Sequence, residues 1–250
     1  MAAEPELWVT RFFNDFLAGP AKMILDAVGV HPHNPERPWI NFVSMEFLVA
    51  AIIIVLFAIL RSRLSVDKPG NFQQAFELIY QFLRGQLNDI AGHGGVQYLA
   101  FCGTLFIFIL FCNLIGLVPS LEAPTMFPPV PAGCAMATFL VYNGLAIKEQ
   151  GPFGYLKHLW GPVWWLGPLF LPIEIVSHLA RPMSLTIRLY ANMLAGEKVT
   201  LVFLGLVPFL VPTIFMGLHT FVSVVQAFIF TVLTMIYIGG AIAHAHDENH

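Results

Sequence analysis

From Ile40 to Leu60 the chain is almost free of polar side chains, and it stops being so abruptly at Arg61 and Arg63. About 20 residues of α-helix cover the ~30 Å hydrocarbon core of a bilayer, and a helix satisfies its own backbone polar groups there. A membrane span is therefore the expected fate of this segment. Two shorter runs repeat the pattern, about Tyr98–Leu117 and Gly133–Ile147, the second closed by Lys148 and Glu149. After a hairpin rich in Gly, Pro and Trp come two long apolar segments, about 167–206 and 212–243, separated by Val207-Pro208 and Val211-Pro212. The expected class is an all-α polytopic membrane protein with about five membrane-embedded helices, the last two long and strongly tilted as an antiparallel hairpin. It would form one membrane domain: an amphipathic N-terminal segment (1–38), peripheral spans with their cytoplasmic loops (39–166), and a helix hairpin with a short tail (167–250).

Composition agrees. Hydrophobic residues make up 57% of the chain and charged residues 11%, with a mean hydropathy of +0.74. Soluble domains carry about 25% charged residues. A net charge of −3, with no basic stripe and no glycine-rich phosphate loop, excludes a nucleic-acid partner. Cys102, Cys112 and Cys134 all lie in apolar runs without a CxxC, so they read as small buried hydrophobes rather than as a disulfide frame or a zinc site. No cofactor and no metal are expected.

Residues 5–28 read as an amphipathic segment broken at Gly19-Pro20, able to lie on the membrane surface. Glu4 and Glu6 stand where a secretory signal would be basic, so insertion is expected to be driven by the first span. Residues 71–92 alternate Phe72, Phe76, Ile79, Tyr80 and Leu83 with Gln73, Glu77, Gln81 and Arg84, an amphipathic helix. Basic residues set the orientation: Arg61, Arg63, Lys68 and Arg84 follow the first span, Lys148 and Lys157 follow the third, and the loops at 118–132 and 207–212 carry none. The basic loops then face the cytoplasm, with the N-terminus outside and the C-terminus inside.

The segment 167–206 is anomalous in two ways. Forty residues of helix would reach ~60 Å, so it must be tilted, kinked or partly outside the membrane core. It also carries Glu174, His178, Arg181, Arg188, Asn192, Glu197 and Lys198. Glu174, Arg181 and Arg188 recur every seven residues, a spacing that drifts only ~20° per step. Ser177 and Ser184 share that stripe, and Ala191 and Ala195 continue it with small side chains that permit close approach by another helix. Glu197 falls on roughly the opposite side from Arg188. The last segment has a matching stripe of His219, Ser223, Gln226 and Tyr237. With Pro208 as the tip of an antiparallel pair, Glu197 comes level with His219 and Arg188 with Gln226, while Glu174 lies far toward the cytoplasm.

An arginine at the bilayer centre costs at least ~2.5–3.5 kcal/mol on insertion scales, so several ionisable groups in consecutive helices mark an ion or proton path. Arginine keeps its proton at physiological pH; Arg188 can hold a carboxylate ionised and repel a passing cation, but it cannot relay. Glu and His can relay. Relays at two depths around a fixed cation are the parts of two offset half-channels. No spare midplane carboxylate stands in this chain for Arg188 to act on, so that group is expected from another subunit.

The runs MSLTIRLYANMLAGE (183–197) and HTFVSVVQAFIFTVLTMIYIG (219–239) resemble subunit a of the F-type ATP synthases, and NLIGLVP (113–119) is similar to that family's second span. The resemblance is specific over about 170–240; the first 95 residues match in layout only. It implies a stator that couples proton flow to ATP synthesis without catalytic chemistry of its own. Its implied partners are a ring of c subunits, the b-subunit stalk, the rest of the F1F0 complex and the lipid bilayer of the inner (plasma) membrane. No small-molecule substrate other than H⁺ is implied. Arg188 would face the ring, Gln226 would neighbour it across the helix pair, and Asn192 would line the same aqueous region. Glu197 and His219 would serve the outer half-channel and Glu174 the exit to the cytoplasm. Tyr190-Ala191 departs from a common bacterial form of the motif, which has Phe-Gly there, but every ionisable position is kept. The family's two long helices lie steeply tilted around the ring.

Weaker signals read plainly. The tail residues His244, His246, Asp247, Glu248 and His250, and the loop residues His31 and His33, are expected to be solvated. Glu46 is expected near the outer headgroups, and Trp160, Trp164 and Trp165 as an interfacial anchor. A self-contained proton-coupled transporter is the alternative, but the halves show no repeat. An intramembrane hydrolase would need a G-x-S-x-G or H-E-x-x-H motif, and the sequence has neither.

Overall fold

The computed structural model describes residues 6–28, 37–66, 68–118, 120–160, 167–206 and 210–247. Their regular structure is helical: α1 (Trp8–Val28), α2 (Asn41–Ser62), α3 (Asn71–Ala91), α4 (Leu99–Leu114), α5 (Pro129–Trp160), α6 (Gly167–Leu206) and α7 (Leu210–Asp247), with short 3-10 turns between. His31, His33, Trp164, Trp165, Pro208, Glu248, His250 and the side chains of Trp160, His244, His246 and Asp247 lie outside the described residues.

Among the described residues, four segments are long and apolar enough to cross a membrane: Asn41–Ser62, Gly94–Leu117, Pro129–Lys148 and Pro212–Ile242. The chain is thus an all-α polytopic membrane protein. The third span begins earlier than its apolar run suggests. Pro129 and Pro131 sit in the first turn, where a helix has no internal partner for their missing N–H, so they start α5 rather than exclude it. At Gly151, φ is +73°, a left-handed conformation that breaks α5 just beyond its membrane-length part.

α1 differs from its expectation. No break occurs at Gly19-Pro20; the helix runs through Pro20. The proline removes one N–H donor, but Gly19 and Pro20 lie on the exposed side and flanking Ala18, Ala21 and Lys22 favour helix. Asn14 docks α1 against the start of α2: its Oδ1 accepts from the Trp39 backbone N–H at 3.0 Å and its Nδ2 donates to the Trp39 carbonyl at 3.2 Å. The Trp39 indole donates to the Leu17 carbonyl at 3.1 Å, and Arg37 pairs with Glu6.

The core lies between α4, α5 and α7. One face of α6 joins it through Leu185, Leu189 and Met193, and one face of α3 through Leu83 and Leu87. Several buried polar groups there are paired, as burial favours. Asn113 of α4 donates to the Ser223 carbonyl of α7 at 3.1 Å and accepts from the Thr125 hydroxyl at 2.6 Å. Thr138 and Thr234 meet hydroxyl to hydroxyl at 3.4 Å between α5 and α7. α2 stands apart: 17% of its span is buried, against 44% for each of the other three. Ile52, Ile54, Val55 and Ile59 point outward, as they would toward lipid.

Candidate functional site

α6 and α7 pair antiparallel, and two contacts fix their register. A Cβ built on Gly196 would overlap the His219 ring, 2.7 Å from Cε1, so only the bare glycine backbone lets α7 seat its imidazole there. One turn along, the Ser223 hydroxyl lies 3.9 Å from the Met193 sulfur. His219 is thus held against the residue adjoining Glu197, and Glu197 is half-buried beside it. Continued along both helices, this register brings Arg188 level with the turn of α7 that holds Gln226. Gln226 is buried, and among the described residues no hydrogen bond joins it to Arg188.

Arg188 faces outward instead. Leu185, Leu189 and Met193 point inward at spacings of four. The guanidinium therefore emerges from the other flank of α6, where Ser184, Ala191 and Ala195 are exposed. Its Nη2 donates to the Ser184 hydroxyl at 3.5 Å, a long bond that leaves the cation available to a partner. Asn192, one turn on, is half-buried. Met183 and Ile187 expose apolar surface on the same flank. The small side chains on this flank leave room for another helix to approach closely.

The seven-residue stripe divides at Arg181. Its guanidinium does not continue the outward face but lies over two aromatic rings, 5.8 Å from the Tyr142 centroid in α5 and 5.4 Å from the Tyr237 centroid in α7. The long stem reaches the quadrupole of both rings, which attracts a cation better than open lipid would. Below it, Glu174 Oε1 lies 3.4 Å from His178 Nε2, and His178 Nδ1 lies 3.2 Å from the Tyr142 hydroxyl. Ser177, in the same turn, is half-buried. The end of α6 nearer its N-terminus therefore carries a connected group from three helices: Glu174, His178 and Arg181 of α6, Tyr142 of α5 and Tyr237 of α7.

Sequence spacing did not reveal two parts of this arrangement. Tyr142 sits beside Asn143 in a largely apolar run, and only tertiary contact shows its hydroxyl on His178. Gly196 carries no functional group; the run LAGE at 194–197 gives no hint that a ring fills the space over it. Chemically, the ensemble offers two sites of proton-accepting groups, far apart along α6, with an unrelaying cation between them on the outward flank.

Known proteins of similar sequence bear on this geometry. The family model described as ATP synthase A chain matches residues 43–239. The ATP synthase subunit a of Solibacter usitatus is 59% identical over 234 residues, which cover 94% of this chain and 100% of that protein. That of Koribacter versatilis is 49% identical over 97% of this chain and 99% of its own length. The ATP synthase subunit a 2 of Syntrophotalea carbinolica is 42% identical over 84% of this chain. The family match runs from within the first membrane-length segment to within the last and does not favour a self-contained transporter. With four membrane-length apolar segments and a charged helix matched end to end, the chain belongs to the ATP synthase subunit a family.

Proposed function

We propose that Arg188 is the fixed cation that separates two proton half-channels in this proton-translocating stator subunit of the F0 sector. The observation that supports this most directly is the position of its guanidinium: outward on the small-residue flank of α6, level with Gln226, between the Glu197–His219 level and the Glu174–His178 level. On this reading a ring of c subunits runs along that flank and presents one carboxylate at a time. Arg188 holds that carboxylate ionised, so the proton it carried leaves toward Glu174, and the ionised site moves on to be reloaded from Glu197 and His219. Gln226 and Asn192 are the polar neighbours that keep the junction hydrated, with Ser177, Arg181, Ser184 and Ser223 supporting the path.

A proton that passed straight between the half-channels would do no work, and each crossing is worth ~2.3 kcal/mol per 100 mV. The fixed positive charge forbids that shortcut electrostatically. Within the complex, the b-subunit stalk would hold the chain against rotation. In a bacterial inner membrane the basic loops place the N-terminus outside and the C-terminus in the cytoplasm. The test is Arg188→Ala in the assembled enzyme reconstituted in vesicles. The expected result is complete loss of ATP-driven proton pumping; coupled pumping at the normal rate would end the proposal.

A further inference from the structure

We infer that His178, held between Glu174 and Tyr142, is a proton-carrying member of the cytoplasmic-side path, and that Tyr142 is its positioning residue. The inference rests on the reading that this path runs past Glu174, and it assigns function to two side chains which that reading does not use.

Three observations carry it. First, the contacts form a chain that leads from a wetter group to drier ones. The Glu174 side chain is 36% exposed, that of His178 is 13% exposed, and Tyr142 is 3% exposed. Second, both ring nitrogens are engaged: Nε2 faces Glu174 Oε1 at 3.4 Å and Nδ1 meets the Tyr142 hydroxyl at 3.2 Å. A carboxylate on Nε2 fixes the neutral tautomer with its proton on that nitrogen, and leaves Nδ1 as the basic site. Third, the ring cannot turn freely. It stacks on Tyr142 with centroids 6.0 Å apart and planes at 23°, and Tyr142 in turn packs on Tyr237 at 5.6 Å.

The proton balance is simple. In the resting form the Tyr142 O–H donates to Nδ1 and the Nε2–H donates to Glu174. An arriving proton binds Nδ1 and forms imidazolium, and the Tyr142 hydroxyl rotates to accept from the new N–H. The Glu174 carboxylate stabilises the cation. The proton then leaves from Nε2 to Glu174 and on to solvent, and the ring regains its resting tautomer by exchange with water of the same path, Nδ1 giving up one proton as Nε2 takes one up, with no net change. No other bond forms or breaks. Among the described residues, the charged and titratable groups brought to this cluster include Glu174 and Arg181 of α6, Tyr142 of α5 and Tyr237 of α7. Arg181, drawn onto the two tyrosine rings, keeps positive charge near the relay.

The experiment uses the whole complex in vesicles, with ATP-driven pumping measured across cytoplasmic-side pH 5.5–8.5 for Glu174→Gln, His178→Gln and Tyr142→Phe. Gln keeps polar contacts at position 178 but cannot titrate. The expected result for H178Q is a fall in rate of roughly fivefold, with the pH dependence of the wild-type complex flattened. For Y142F we expect a two- to threefold fall and a displaced profile, with normal subunit composition in both. Should H178Q fail to assemble, Y142F decides, since it removes one oxygen and leaves the ring stack in place; an unmoved profile there overturns the inference. If E174Q slows pumping while H178Q keeps the wild-type rate and profile, His178 carries no proton and the wider reading stands. If E174Q has no effect either, the path does not run here and both fail.

Discussion

His219 and His178 lie near opposite ends of the α6–α7 pair, and the chain positions them by different means. His219 is seated by space: Gly196 removes a Cβ, and the ring enters the gap. Its Nδ1 is buried without a hydrogen-bond partner. His178 is seated by partners: a carboxylate on one nitrogen, a phenol on the other and an aromatic stack beneath. A steric seat and a polar seat fail differently. A steric seat tolerates changes in polarity but not in volume. A polar seat tolerates small changes in volume but not the loss of a donor or acceptor.

Substitutions between and at these ends break or sharpen that contrast. The largest effect is expected from Arg188→Ala, which stands between both seats: pumping vanishes, and vesicles holding the assembled ring show a passive proton leak in a pH-sensitive dye assay. Next comes Gly196→Val. Overpacking of this kind costs about 1–3 kcal/mol, and we expect proton transport to fall at least tenfold. His219→Ala in the same chain should restore assembly without restoring transport; if G196V alone pumps normally, the steric seat is illusory. Glu197→Gln should slow proton uptake several-fold while the complex still purifies intact, and unchanged flux at every pH would remove Glu197 from the path. The smallest functional effect is expected from Asn113→Leu, which touches neither histidine but bonds Ser223, one turn from His219. Losing its bonds to Ser223 and Thr125 leaves buried groups unpaired, a cost of about 1–3 kcal/mol. Thermal stability of the detergent-solubilised complex should drop while pumping at low temperature stays near normal.

Much of this architecture is legible in the chain because bilayer physics is simple. The run ending at Arg61 and Arg63 announces α2, and the amphipathic run at 71–92 announces α3, since apolar length and period 3.6 are one-dimensional properties. The relative depths of groups on α6 and α7 follow likewise from counting about a hairpin. What is hidden depends on the third dimension. Pro20 suggests a stop in α1, but the helix runs through it and is docked on the start of α2 by Asn14. The seven-residue stripe suggests one face, yet Arg181 leaves it, because a flexible stem finds two aromatic rings that lie on other helices. Tyr142 and Gly196 matter only through what α6 and α7 bring against them.

The locked register of α6 and α7 also works as a ruler. Gly196 lies eight residues from Arg188, and Arg188 lies fourteen from Glu174. At 1.5 Å per residue these are about 12 Å and about 21 Å along the axis. A proton hops between groups in hydrogen-bond contact, about 3 Å apart. The two relays are therefore separated by roughly ten such hops, with a cation that will neither accept nor yield a proton set on the way. No rearrangement of side chains closes that distance. On the proposed reading, the proton crosses that gap on a carrier that moves past Arg188.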